Sequence, residues 1–338
     1  MKLSIHSKLR DYDVIIEQNL IKKIHKYIDN TQRYVIITED GIPELYIDTL
    51  TNQIDKHHVI EFNQGESSKN MDTYLKIIQE LNEISFTKTD ILIALGGGVV
   101  TDITGFVAST YLRGVEYIQI PTTLLAQVDA SIGGKTGLNH LNNKNIIGSI
   151  YPPSLVLIDP QTLLTLSNRQ MNNGMAEVIK CALIDSKELF EIIQNKNFFY
   201  QIEKIIYLSL KTKIKYIELD EFDQHERHVL NFGHTLGHAY ESYYKYQKYL
   251  HGEAIALGMY QMIFNQPLRN KVKLLLEQYH LPISDSLDPY DLFDFIKKDK
   301  KRINQSIKII VLNDIEKPEI IKVSLKTFLH DYLERKFI

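Results

Sequence analysis

The stretch Ile91–Ala108, ILIALGGGVVTDITGFVA, decides the fold class. Its first five residues, ILIAL, are an apolar run of strand length closed by glycines, and VVTDITGFVA beyond them is an apolar helix. Gly96, Gly97 and Gly98 turn the chain sharply and leave no side chain over the first N–H groups of that helix, a geometry that receives a phosphate. The GxGxxG spacing of the dinucleotide fingerprint is missing, so the turn alone is equally well read as a plain strand-to-helix connection.

On either side, short strand-like runs alternate with amphipathic stretches: YVIIT at 34–38, HHVIEF at 57–62, EYIQIP at 116–121 and LVLID at 155–159. Helical patterns such as MDTYLKIIQELNEI lie between them, which predicts a mainly parallel α/β sheet. From about Ser167 the pattern becomes helices in series: NRQMNNGMAEVIKCALI, IEKIIYLSLKTKIKYIEL, HVLNFGHTLGHAYESYY and GEAIALGMYQMIF. Only IKIIVL and EIIKVSL, separated by a turn segment containing Pro318, read as a hairpin there. The expected organisation is an α/β domain over 1–166 and a mostly helical domain over 167–338.

With 338 residues and 44% hydrophobic content the chain can bury two cores of ordinary size. The net charge of -3 provides no field for nucleic acid or an anionic membrane, so an anionic substrate needs local cations. The single cysteine, Cys181, rules out an intramolecular disulfide framework. The opening MKLSIHSKLRDYDVIIEQ has no apolar signal core, and ILIALGGGVV ends well short of the roughly 20 residues a membrane span needs. The cytoplasm is the expected compartment.

IPTTLLAQVDASIGGKTGLNHLNNKNIIGS, residues 120–149, reads as a long polar loop carrying Thr122, Thr123, Asp129, Lys135, Lys144 and Asn145. A loop of that length in a compact domain is usually functional, the alternative being a solvated surface excursion. In HTLGH, His234 and His238 share a helix face, and His251 opens the helix of LHGEAIALGM. With Glu177 of GMAEVIK they make a divalent-metal set that suits zinc, unless they are only satisfied helix-face residues. Thr235 follows His234 where HExxH needs its glutamate, which argues against a zinc-protease reading. Lys213 and Arg227, close in sequence to HTLGH, are cations suited to a phosphate or carboxylate.

Taken in order, LGGGVVTDITGFVASTYLRGV, QIPTTLLAQVDASIGGKTGLNH, KNIIGSIYPP, GMAEVIK, LNFGHTLGHAYE and LHGEAIALGM resemble the signature of the 3-dehydroquinate synthase family of sugar phosphate cyclases. The resemblance implies that Glu177, His234 and His251 bind Zn2+ or Co2+ and that His238 transfers protons. It implies NAD on Gly97, Gly98, Val99 and Asp102, with Thr122, Thr123, Lys135, Lys144, Thr162 and Thr165 around it and Gly65, Glu66 and Lys69 at its adenosine end. The implied substrate contacts are Asp129, Lys135, Asn145, Lys180, Lys213, Arg227, Asn231 and Lys300 or Lys301, with Arg113 reaching across a homodimer.

The implied reaction converts 3-deoxy-D-arabino-heptulosonate 7-phosphate to 3-dehydroquinate by transient oxidation, phosphate elimination, re-reduction and aldol closure. The rival readings are another sugar phosphate cyclase, a metal-dependent polyol dehydrogenase and a nonenzymatic NAD or metal sensor. Two positions depart from the family pattern: Thr101 replaces a glycine, which predicts a tighter or shifted cofactor turn, and Asp223 replaces a glutamate.

Overall fold

The structure, a computed structural model, describes residues 1–141, 143–195, 197–300 and 306–334. The chain divides into two compact units, Met1–Ser167 and Asn168–Ile338.

Among the described residues the first unit holds nine strands: β1 (Lys2–Ile5), β2 (Tyr12–Ile16), β3 (Tyr34–Glu39), β4 (His57–Phe62), β5 (Ile91–Gly96), β6 (Tyr117–Pro121), β7 (Lys135–His140), β8 (Asn143–Ile150) and β9 (Leu155–Ile158). Its helices are α1 (Glu44–Thr51), α2 (Met71–Glu83) and α3 (Gly98–Thr110). Seven strands form one sheet in the order β1-β2-β9-β6-β5-β3-β4, parallel throughout except for β1 against β2. Successive side chains of a strand point to opposite faces, so each strand feeds two cores. Val35, Ile37, Leu92 and Ala94 pack with Ile77, Leu81, Val100, Ile103 and Val107 of α2 and α3. Ile36, Ile93, Leu95, Ile118 and Ile120 pack with Leu20, Ile24, Leu50 and Ile54 on the other face. That two-sided burial is why these strands read as continuous apolar runs.

The stretch expected to be a long polar loop is more ordered than that. It folds as one π-helical turn, Ala126–Ala130, followed by the antiparallel hairpin β7–β8. Polarity hid the hairpin, because β8 buries none of its residues and only Thr136, Gly137 and Leu138 of β7 are buried.

The second unit contains α4 (Asn168–Asp185), α5 (Lys187–Ile193), α6 (Ile202–Leu219), α7 (His234–Tyr243), α8 (His251–Gln261), α9 (Gln266–Gln278), α10 (Pro289–Lys300) and α11 (Leu325–Glu334). The expected hairpin is present as β10 (Ser306–Leu312) and β11 (Pro318–Ser324), with Pro318 opening the second strand opposite Leu312. HVLNFGHTLGHAYESYY is not one helix. A 3-10 turn ends at Asn231, and Gly233 at φ +81° breaks the path before α7 starts at His234. A side chain on Gly233 would also strike Met259, so both conformation and space require glycine there.

Candidate active site

In the first unit the parallel strands β3, β5, β6 and β9 end on one side of the sheet. The order turns between β3 and β5, the position where open α/β sheets take ligands. β5 runs through Gly96 and Gly97 into α3, and Thr122 N–H donates to the Gly96 carbonyl at 3.0 Å. Thr101 is built into the first turn of α3. Its N–H makes the regular helical bond to the Gly97 carbonyl, and its buried hydroxyl donates to the Gly98 carbonyl, both at 3.0 Å.

Around this turn the buried Lys69 ammonium donates to Asp102 Oδ2 and Asn145 Oδ1. Asn139 joins the same cluster by donating to Glu66 Oε1 at 2.7 Å, while its Oδ1 accepts from Asn145 N–H at 2.9 Å. Burial holds the Asp102 carboxyl above its ordinary range although Lys69 opposes the shift. Gly65, Glu66, Lys69, Asp102 and Asn145 are thus gathered by the hairpin and the loop after β4. Gly98 and Val99 open α3, Thr123 lies beside Gly97, and Thr162 and Thr165 follow β9.

Two residues of this unit had no expectation attached. Glu39, at the end of β3, accepts from Gly65 N–H at 3.3 Å, and burial raises its carboxyl above the usual range. Gln127 is fully buried, and its amide donates to the Pro121 and Asp159 carbonyls and to Thr162 Oγ1 at 3.0–3.2 Å, joining the ends of β6 and β9. A glutamine among apolar neighbours in TTLLAQVD is the only trace of this role that the sequence carries. Asp129 lies half-buried in the π-helical turn, Lys135 and Lys144 lie on the hairpin strands, and Arg113 is exposed at φ +65° after α3.

In the second unit α4 carries Glu177, and α7 and α8 start at His234 and His251. Close backbone approaches set these starts: a Cβ on Gly258 would overlap the Gly233 carbonyl, and one on Gly252 would overlap the Asn173 carbonyl. Asn173 Oδ1 accepts from Gly252 N–H at 2.6 Å, and Arg169 clasps Glu253 with two bonds of 2.7 and 2.8 Å, so α8 is fastened to α4 at the turn bearing His251.

The result is a cluster in which one ligand atom from each of Glu177, His234 and His251 lies within 4.8 Å of the others. Both imidazole Nε2 atoms face Glu177 Oε1, at 3.7 Å from His234 and 3.6 Å from His251. Glu177 is 1% exposed, and neither of its oxygens has a hydrogen-bond partner among the described residues, although Lys180 forms an ion pair with Oε2. Two ligands bound at about 2.0–2.1 Å in a tetrahedral site sit roughly 3.4 Å apart, so these spacings fit a divalent ion. The Phe232 carbonyl, which can only accept, takes the proton of His234 Nδ1 at 3.2 Å and leaves Nε2 as the lone-pair nitrogen.

Burial, then Lys180, hold the His234 imidazolium pKa well below its usual value. Burial also works to raise the Glu177 carboxyl, but Lys180 and the two imidazoles hold it well below the usual range. His251 resists burial because the Glu177 and Glu241 carboxylates face it, and it is pushed up to about 10. Without a metal, a proton on His251 supplies the positive charge that the buried carboxylates demand.

His238 stays outside that trio, exposed on α7 with its ring 5.3 Å from the His234 ring. Lys180, Lys213 and Arg227 are all buried cations of this unit, and Arg227 Nη1 donates to the Glu221 carbonyl at 2.7 Å. Asn231 closes the 3-10 turn before α7. Asp223 accepts from His228 Nδ1 at 2.9 Å. Lys301 and the side chain of Lys300 lie outside the described residues.

Family models match both parts of the chain, 3-dehydroquinate synthase N-terminal over residues 59–173 and 3-dehydroquinate synthase C-terminal over residues 174–302. The 3-dehydroquinate synthase of Clostridium beijerinckii is 39% identical over 339 residues, 94% of this chain and 97% of that protein. The chain belongs to the 3-dehydroquinate synthase family. Among solved structures, this family member resembles 2-deoxy-scyllo-inosose synthase in complex with carbaglucose-6-phosphate, NAD+ and Co2+. The TM-score is 0.88 at 24% identity, covering 99% of this chain and 100% of that one. It also resembles 2-epi-5-epi-valiolone synthase of Streptomyces hygroscopicus subsp. jinggangensis with NAD+ and Zn2+ bound, at TM-score 0.87 and 25% identity, covering 98% of this chain and 99% of that one.

Proposed function

We propose that the chain is a 3-dehydroquinate synthase, converting 3-deoxy-D-arabino-heptulosonate 7-phosphate to 3-dehydroquinate and phosphate with NAD and a divalent metal, Zn2+ or Co2+. The observation that carries this reading is the buried Glu177 carboxylate, ion-paired with Lys180 through Oε2 and faced at Oε1 by the Nε2 atoms of His234 and His251, in a chain of this family. When bound, NAD accepts and returns a hydride, and the metal supplies Lewis-acid polarisation of substrate oxygens.

The residues divide the remaining work. Glu177, His234 and His251 hold the metal. Gly97, Gly98, Val99, Asp102, Thr122, Thr123, Lys135, Lys144, Thr162 and Thr165 hold NAD, with Gly65, Glu66 and Lys69 at the adenosine end. Gly97 and Gly98 lie at the start of α3, where bare backbone N–H groups and the helix dipole attract a phosphate. Lys135, Lys180, Lys213 and Arg227 supply positive charge to the substrate carboxylate and phosphate, and Asp129, Asn145, Asn231 and one of Lys300 and Lys301 orient it. His238 moves protons, because its exposed ring can exchange them with solvent while its two histidine neighbours are committed to the metal.

The enzyme works as a homodimer in which Arg113 serves the partner's site. No helix among the described residues is long and apolar enough to cross a membrane, and the cytoplasm is the compartment that suits the substrate. The test is phosphate release from the heptulosonate phosphate by zinc-loaded protein, with and without NAD, while absorbance at 340 nm is followed. Release that needs both NAD and metal, without net NADH, is expected. Steady NADH growth without phosphate would make it a dehydrogenase, and no signal in either channel would point to a different sugar phosphate.

A further inference from the structure

Glu241 lies on α7, three residues after His238 and seven after His234, and therefore on the same helix face. Its side chain is 2% exposed. The carboxylate sits 3.5 Å from His251 Nδ1 through Oε1 and 4.0 Å from His238 Nε2 through Oε2. His251 is thus spanned by two buried carboxylates, with Nε2 toward Glu177 and Nδ1 toward Glu241.

His238, Glu241 and His251 also meet as a second group with ligand-like spacing. That group shares His251 with the first, and the nitrogen it would use is the one turned away from Glu177. A carboxylate in that position fits another task, accepting the Nδ1 proton of a ligand imidazole. This fixes the tautomer and ring orientation and makes the opposite nitrogen a better donor. His234 receives the same service from the Phe232 carbonyl. A neutral carbonyl behind one imidazole and a carboxylate behind the other give the two metal-facing nitrogens unequal basicity.

We infer that Glu241 is a positioning residue that commits His251 to the metal through Nε2 and sets the strength of that ligand, with the exposed His238 as its second neighbour. The inference rests on the metal reading of Glu177, His234 and His251. Glu241 touches neither the substrate nor the ion, and acts through His251.

The test is titration of metal-free protein with Co2+, following the visible d–d bands, for wild type, Glu241→Gln, Glu241→Ala and His234→Ala. Glu241→Gln keeps the shape and an acceptor oxygen without the charge, so it guards against misfolding of the truncated variant. We expect one Co2+ per chain in wild type, and affinity lowered roughly 10- to 100-fold in Glu241→Ala with altered bands. Glu241→Gln should be intermediate. If His234→Ala loses Co2+ while both Glu241 variants keep wild-type affinity and bands, the inference is overturned and the metal site stands. Two Co2+ per wild-type chain falling to one in Glu241→Ala would also overturn it, by making Glu241 a ligand. If wild type binds no Co2+, or His234→Ala binds it like wild type, the metal reading itself fails and takes the inference with it.

Discussion

Glu177, His234 and His238 show how differently three polar side chains within a few ångströms are treated. Glu177 and His234 are withdrawn from water and face each other, whereas His238, one helical turn along α7, stays exposed. His234→Ala removes a ligand and leaves a buried carboxylate with less compensation, so it should lose metal and activity together. His238→Ala should keep stoichiometric metal and slow turnover by about 100-fold or more, the usual contribution of a proton-transfer group. Metal analysis of both purified variants beside their rates separates the roles. Full metal in His234→Ala would remove it from the ligand set. The spacing of HTLGH is legible in the sequence, but the division of labour is not. Which imidazole turns toward Glu177 depends on the Gly233 break and on the partners packed behind each ring.

At the scale of elements, the α7–α8 pair is held by contacts that leave no room for a side chain. Gly258→Ala would drive a methyl group into the Gly233 carbonyl. It should cost about 3 kcal/mol, the upper range for overpacking, and loosen metal binding by shifting His234 against His251. Denaturant unfolding and zinc content of the variant check both parts. The connection between these helices is pinned separately: Asp285 accepts from Tyr244 OH at 2.7 Å, from Lys248 Nζ and Tyr249 OH at 2.5 Å, and from Leu287 N–H at 2.7 Å. Burial opposes the charge on Asp285, but these donors hold its pKa at about 2, below the ordinary 3.8. A depressed carboxylate stabilises the fold fully above its unfolded pKa and loses that contribution as pH falls through the folded value. Wild type should therefore exceed Asp285→Asn by about 2 kcal/mol at pH 6, and the gap should close between roughly pH 4 and pH 2. Thermal melts of both proteins across that range measure it, and a constant gap would show that the carboxylate charge is not responsible.

For the whole molecule, the proposed homodimer makes a prediction that no single-chain variant can imitate. If Arg113 serves the partner's site, Arg113→Ala and His234→Ala are each inactive alone but complement each other. Random mixing makes half the dimers mixed, each with one complete site, so activity should recover to about a quarter of wild type. Unfolding and refolding the two variants together, then assaying phosphate release, reads the outcome. No recovery would place Arg113 in its own chain's site or outside the chemistry. The exposed, positive-φ setting of Arg113 is the structural observation that makes this residue worth testing.

Much of the architecture was readable along the chain because it depends on local periodicity. The buried runs of β3, β5, β6 and β9, the glycine turn into α3 and the helices in series after Ser167 follow from side-chain spacing alone. The six ordered motifs identified the family for the same reason, since residue type and spacing are properties of the chain. The β7–β8 hairpin was misjudged as a loop because a two-stranded ribbon with one face in water carries little apolar signal. Glu241, Gln127 and the Arg169–Glu253 clasp were missed because they work through partners distant in sequence or hidden on a helix face. A sequence records which groups are available. Which nitrogen faces a carboxylate, which glycine lets two helices touch and which proton a buried site retains are settled by packing, where charge and volume must be satisfied together in three dimensions.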